Sequence, residues 1–146
     1  MLFRSRSLLI RTKRNWYRDQ RPVPERYFDA ARALDVVPDG KPLEMFIGHE
    51  DLRQASALLE ARGLGRDRAL VALAPGAQHA TKRWPARHWQ ILAAMLTERG
   101  YDVVILGGPA ERALAADIAT AAGDRALSVA GDTSLGLSAA LLKQAR

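Results

Sequence analysis

Three short stretches of this sequence collect the residue types that hold a phosphorylated, hydroxyl-rich ligand. The first is Pro75-Gly76-Ala77-Gln78-His79-Ala80-Thr81-Lys82-Arg83-Trp84-Pro85. Gly76 lets a backbone come close to a ligand. Thr81 offers a hydroxyl, and Lys82 and Arg83 bring positive charge to the start of an expected helix. Free backbone N–H groups and the positive end of the helix dipole favour an anion there, and a diphosphate fits that description. The same features equally describe an ordinary strand–helix loop with surface cations. The spacing is not G-x-x-x-x-G-K-[ST], so this is not a Walker loop.

The second stretch is Gly107-Gly108-Pro109-Ala110-Glu111. Glu111 falls in the first turn of the next helix, where a carboxylate can accept hydrogen bonds from both hydroxyls of a ribose. A glutamate at a helix start is also favoured by the dipole alone, by about 0.3–1 kcal/mol. The third is Gly131-Asp132-Thr133-Ser134-Leu135. Thr133 or Ser134 suits a helix N-cap, which accounts for the hydroxyls without a ligand. The same turn can hold a nucleobase edge against its backbone. Singly the stretches are ambiguous; together they describe an anion site, a ribose acceptor and a base-side turn.

The elements that carry them follow from periodicity. Ala69 to Ala74 and Tyr101 to Leu106 are apolar runs without alternation, which suits strands buried on both faces. Ala126 to Ala130 is a third strand. Trp89, Leu92, Ala93 and Leu96 mark a helix that opens near Pro85 as its first residue and ends at Gly100. Ala110 to Ala122, stopped by Gly123, and Ser134 to Arg146 are two more. Residues 69–146 thus spell β-α-β-α-β-α. That order gives an α/β fold: a Rossmann-like parallel sheet with helices on both faces and right-handed crossovers. In such folds ligands sit at the carboxyl ends of the strands, which is where the three stretches lie.

The preceding segment is less regular. Residues 25–35 carry apolar positions at helical spacing, 36–42 form a Pro/Gly loop, Leu43 to Ile47 suggests a short strand, and His49 to Arg62 a helix with Gly63 as its stop. The domain reading is a basic arm at 1–24, a connection with leading helices at 25–65, and a nucleotide-binding Rossmann-like domain at 66–146. Charge supports the arm. Residues 1–27 hold eight Lys/Arg against Asp19 and Glu25, a net +6, while the remainder balances. Such an arm is either a solvated linker or a contact for anionic lipid or nucleic acid. The apolar run Leu8 to Ile10 is too short for a signal peptide, and no stretch approaches a spanning helix. The expected location is cytoplasmic, and at the inner-membrane surface where residues 1–27 act as the lipid contact rather than as a linker. There is no cysteine, and His49, His79 and His88 lack metal-ligand spacing, so no metal site is expected.

APGA…TKRWP at 74–85, VVILGGPAE at 103–111 and AGDTSL at 130–135 resemble the lipopolysaccharide heptosyltransferases, glycosyltransferase family 9. The resemblance is strong across 69–146 and fainter across 25–65. It implies a two-domain GT-B fold, of which this chain is the C-terminal, donor-binding half, truncated. It implies transfer of heptose from ADP-heptose to a lipopolysaccharide core acceptor, inverting and metal-independent, with no cofactor. By the family pattern Thr81 and Lys82 are diphosphate ligands, Glu111 is the ribose ligand, and the Gly131–Leu135 turn, with Thr133 and Ser134, faces the adenine. Gly76 belongs to the same donor site. Lys82 then carries the catalytic role, stabilising charge on the leaving diphosphate. The lipid-linked acceptor belongs to a domain outside this sequence. The family's Asp-x-Gly-x-x-His-like segment is expected just past residue 146, so the chain alone is expected to turn over weakly or not at all, with an open sheet edge. The alternative is a nucleotide-binding module without catalysis. No aromatic stacking platform or nucleic-acid motif supports an RNA or DNA partner, and no G-x-G-x-x-G supports NAD.

Overall fold

The computed structural model describes residues 10–13 and 21–145. Most of the basic arm, at 1–9 and 14–20, lies outside the described residues. The chain divides into two compact units, Met1–Glu44 and Met45–Arg146.

In the first unit, helix α1 spans Val23–Tyr27 and runs into a 3₁₀ helix at Phe28–Leu34. The helical spacing of 25–35 therefore yields two short pieces rather than one α-helix. Asp29 accepts hydrogen bonds from Arg21 at 2.7 Å and Arg32 at 2.9 Å. The Arg21 hydrogen bond is the main cause that holds the Asp29 carboxyl below its ordinary value. Asp35 ends the segment in the left-handed region.

The second unit opens with irregular chain. The strand expected at 43–47 does not form: among the described residues no strand pairs with that segment, and the sheet holds the three strands described next. Within this unit Phe46 is exposed, and Ile47 packs against the core.

Helix α2 spans His49–Ala61. Its end is a glycine-terminated motif. The Gly63 N–H donates to the Glu60 carbonyl, the Leu64 N–H donates to the Leu59 carbonyl, and Gly63 takes φ +62. Leu64 is thereby turned into the core. Strand β1 (Leu70–Leu73) follows, then α3 (Ala86–Glu98), β2 (Asp102–Ile105), α4 (Arg112–Ala122), β3 (Ala126–Ser128) and α5 (Leu135–Gln144). The same glycine stop closes α3, with Gly100 N–H on Thr97 and Tyr101 N–H on Leu96. Pro85 differs from expectation by one place. With ψ 140 it is extended, so it stands at the N-cap and Ala86 begins the helix.

The strands pair in parallel in the order β1-β2-β3, with Val103 opposite both Val71 and Ala126. Side chains alternate between two cores, as strand geometry requires. Leu70, Val104, Leu106, Leu127 and Val129 face one side, where they meet Ala55 and Leu59 of α2 and Leu137, Ala140 and Leu141 of α5. Leu73, Val103, Ile105 and Ala130 face the other, against Ala93 of α3 and Ala115 and Ile118 of α4. Helices cover both faces, as expected. Because α2 supplies half of one covering layer, it belongs with the sheet, and the compact unit begins at Met45, ahead of residue 66. Each fully buried Leu, Ile or Val side chain in these layers contributes roughly 1.5–3 kcal/mol. Among the described residues no helix is long and apolar enough to cross a membrane.

One buried charge interrupts the apolar strands. Asp102 is fully buried at the amino end of β2. Its Oδ2 accepts the Gly65 N–H at 2.7 Å, and its Oδ1 faces Arg125 Nε at 3.6 Å. Arg125 in turn donates to the Gly63 carbonyl at 2.9 Å. The carboxylate thus ties the α2–β1 turn to the α4–β3 turn, beneath the sheet. Removing a buried, bonded charge strands its partners. Asp102→Ala is expected to cost about 2–4 kcal/mol in denaturant unfolding, and Asp102→Asn, which keeps the Gly65 contact, distinctly less. Equal midpoints for wild type and Asp102→Ala would show that this bracket does not hold the turns.

Candidate functional site

The strand ends at the carboxyl side open into a cleft of about 510 Å³. Its lining comes from all three post-strand loops: Ala74, Gly76, Ala77 and Gln78; Leu106, Gly107, Gly108 and Glu111; Thr133 and Leu135, with Ser138 from α5. The sheet ladder runs on into these loops. The Leu106 N–H donates to the Leu73 carbonyl at 2.8 Å, Val129 to Ile105 at 3.0 Å, and Gly131 to Gly107 at 2.9 Å. The loops are therefore placed by strand register, not by their own preferences.

Glu111 is the carboxylate of the cleft. Pro109–Glu111 forms a 3₁₀ turn that leads into α4. The Glu111 Oε2 reaches back to accept the Gly108 N–H at 2.9 Å. This is the return half of a capping box, with glycine at the N-cap supplying no side chain of its own. The carboxylate lies against Gly76: a Cβ there would fall 2.7 Å from Glu111 Cγ and 3.0 Å from Oε1. At Gly107 a Cβ would fall 2.9 Å from Glu111 Cβ and 3.3 Å from Ala130 Cβ. Real atoms do not approach so closely, so both positions must be glycine for Glu111 to keep this place. With Oε2 engaged, Oε1 is left to accept from a ligand hydroxyl.

The third loop is equally ordered. Ser134 is the N-cap of α5, accepting the Leu137 N–H at 3.0 Å. Its hydroxyl is thus used within the helix, and it does not line the cleft. Thr133 does, with its hydroxyl 2.8 Å from that of Ser138. Gly131 takes φ +80, which only glycine adopts at little cost, and so permits the turn behind the cleft. Leu135 is 79% exposed on the cleft rim, an apolar side chain facing outward.

The first loop divides the sequence candidates. Gly76 lines the cleft, whereas Thr81 and Lys82 do not. They lie on an exposed 3₁₀ turn at Ala80–Lys82, where the Lys82 N–H donates to the His79 carbonyl. Arg83 Nε donates to the Ala77 carbonyl at 2.6 Å, which folds the loop back on itself. Trp84 stacks on His88 and meets Trp89 edge-on, so the loop rests on an aromatic base before α3 begins. Of the residues singled out by sequence, Gly76, Glu111, Thr133 and Leu135 meet in one cleft. Ser138, Gln78 and the apolar floor of Ala74, Ala77 and Leu106 carried no sequence signal as site residues, since each reads as helix, loop or strand end. The helical spacing from Ser134 to Ser138 could have placed the second serine over the first turn.

Fold and cleft define the class: an α/β protein of Rossmann-like layering that presents its ligand cleft at the strand ends. The model for "Glycosyltransferase family 9 (heptosyltransferase)" matches residues 3–146. The chain belongs to glycosyltransferase family 9. Lipooligosaccharide heptosyltransferase 2 of Haemophilus influenzae is 29% identical over 142 residues, covering 90% of this chain and 41% of that protein. Among solved structures, the family 9 glycosyl transferase of Veillonella parvula superposes with TM-score 0.76 at 24% identity, over 88% of this chain and 37% of that one. The E. coli ADP-heptose LPS heptosyltransferase II superposes with TM-score 0.61 at 23% identity, over 77% of this chain and 35% of that one. These likenesses establish the fold as part of the GT-B glycosyltransferase type. The chain spans about two-fifths of the length of these relatives.

The close packing at Gly76 makes a direct test. Gly76→Ala is expected to displace the Glu111 carboxylate and free the Gly108 amide, whose hydrogen exchange should rise about tenfold or more for loss of a bond to a charged acceptor. Unchanged exchange at Gly108 in a folded Gly76→Ala chain contradicts the cradle.

Proposed function

We propose that this chain is the donor-binding part of a heptosyltransferase, which moves heptose from ADP-heptose to a lipopolysaccharide core acceptor. The observation that carries the reading is the Glu111 carboxylate, fixed by Gly76, Gly107 and Gly108 where the strand-end loops converge. In this reading Glu111 Oε1 accepts from the ribose hydroxyls while Oε2 stays on the Gly108 N–H. The adenine lies against the turn of Gly131, Thr133, Ser134 and Leu135, with the exposed Leu135 offering an apolar surface to the base. Thr81 and Lys82 stand on the adjoining loop as diphosphate ligands. Among the described residues no carboxylate pairs with Lys82. Its charge is therefore available to the phosphates.

The chemistry asked of these groups is charge stabilisation. When an acceptor hydroxyl displaces the nucleoside diphosphate from the anomeric carbon, with inversion, negative charge grows on the leaving phosphate oxygen. A cation held beside that oxygen stabilises the transition state more than the ground state. Lys82 takes this role, with the Thr81 hydroxyl beside it, and the reading needs neither metal nor cofactor. The names of the Haemophilus and E. coli relatives, a lipooligosaccharide heptosyltransferase and an ADP-heptose LPS heptosyltransferase, support this choice of donor and acceptor.

Calorimetric titration with ADP, UDP and NAD tests the site. ADP is expected to bind in preference, and Lys82→Ala and Glu111→Ala each to weaken it about tenfold, the effect of one charge-assisted contact. A folded chain that does not distinguish the three nucleotides refutes the donor site. The basic segment 1–27 is proposed as a contact to an anionic membrane surface. Vesicles containing phosphatidylglycerol should then retain the chain at low salt and release it at about 0.5 M salt, where screening is nearly complete. Equal retention on neutral vesicles would exclude an electrostatic contact.

A further inference from the structure

We propose that Arg112 is a positioning residue, which locks the turn after β3 into the shape that grips the nucleobase; this rests on the donor-site reading above. Arg112 is the first residue of α4 and does not line the cleft. Its Nη2 donates to the Gly131 carbonyl at 3.1 Å and to Asp132 Oδ1 at 2.6 Å. The Gly131 N–H donates in the opposite direction, to the Gly107 carbonyl at 2.9 Å. The Gly131 residue is thus held on both sides by the β2 loop and the helix that follows it. A Cβ at Gly131 would fall 3.0 Å from Arg112 Nη2 and 3.0 Å from Pro109 Cα, so the guanidinium lies directly across this glycine. The Asp132 N–H closes the turn on Val129 at 3.1 Å. Thr133 and Leu135, the residues of this turn that line the cleft, come immediately after the lock.

The position of the ion pair says what it is for. Its side chains are 58% and 68% exposed. An exposed pair adds little to folding stability. What the guanidinium does here is bridge, through Nη2 alone, a backbone carbonyl and a carboxylate on successive residues, with the planar group setting the direction of both bonds. A turn held in its binding shape before the ligand arrives spares the ordering cost on association. The lock acts on the base side alone, because the diphosphate candidates lie on a different loop.

Four variants of the full chain test this: Arg112→Ala, Arg112→Lys, Arg112→Asp alone, and the exchange of charges in Arg112→Asp with Asp132→Arg. Amide hydrogen exchange at Gly131 and Asp132 reads the lock without ligand, and calorimetry with ADP and with inorganic pyrophosphate reads its use. Arg112→Ala should speed exchange in the turn and weaken ADP about five- to tenfold, leaving pyrophosphate within about twofold and the melting midpoint nearly unmoved. Arg112→Lys, with a shorter reach and no planar group to set the direction of the two bonds, should recover only part of the ADP affinity, and the exchanged pair should recover more than Arg112→Asp alone. Unchanged exchange at Gly131 and Asp132, or ADP and pyrophosphate weakening together, overturns the proposal. A wild-type chain that binds pyrophosphate or nothing, but never ADP, defeats the donor-site reading and the role in base binding with it. Faster exchange in Arg112→Ala would then still report the lock itself, so the two failures are told apart.

Discussion

Strand β2 is buried on both faces, and the placement of everything else follows from that. Val103 and Ile105 point to one core and Val104 and Leu106 to the other, so a helix layer is needed on each side of the sheet. Parallel neighbours on both flanks then require a crossover on each side of β2, and α3 and α4 supply them over one face. The other face is closed by α2 and α5, which meet across the sheet from opposite ends of the unit's sequence. A strand confined in this way cannot slip by one residue without exchanging its two faces. Its ends are consequently fixed points, and the two carboxylates of interest stand near them.

Those carboxylates divide the molecule. At the amino end Asp102 is enclosed, and it binds backbone and guanidinium from two connecting turns. It has no access to a ligand and serves the fold. At the carboxyl end Glu111 lines the cleft, held by a single backbone N–H and by contact with glycines. Similar chemistry is closed in one place and open in the other because the crossover helices leave the strand tops uncovered. The glycines carry much of this difference. Gly76 and Gly107 are required by the volume of the Glu111 side chain, and Gly131 by the arginine lying over it together with its positive φ.

Membership of glycosyltransferase family 9 gives these features their context. Likeness in fold at identities near one quarter says that the layering is shared. The roles of single residues rest instead on the local geometry of this chain. That geometry separates the strand-end candidates into two groups. Gly76, Glu111, Thr133 and Leu135 share a cleft, while Thr81 and Lys82 stand on an exposed turn beside it.

The sequence by itself determined the parallel α/β layering, because unbroken apolar runs alternating with helical spacing leave few other arrangements. It also determined where α2 and α3 stop, since Gly63 and Gly100 supply conformations that their neighbours avoid. It placed Gly76, Glu111 and Thr133 near one another through the rule that such loops gather at strand ends. Other features were decided only by the tertiary structure. Leu43 to Ile47 is apolar enough for a strand, yet no strand among the described residues pairs with it, and pairing is a property of the sheet. Asp102 reads as an anomaly in a buried strand until Gly65 and Arg125 arrive from distant parts of the chain. Ser134 and Ser138 are indistinguishable as residue types. Packing gives one to a helix cap and turns the other toward the cleft. Arg112 and Asp132 lie 20 positions apart, and nothing local marks them as a pair. Contacts of this kind are set by how layers stack, and periodicity along a chain carries no information about them.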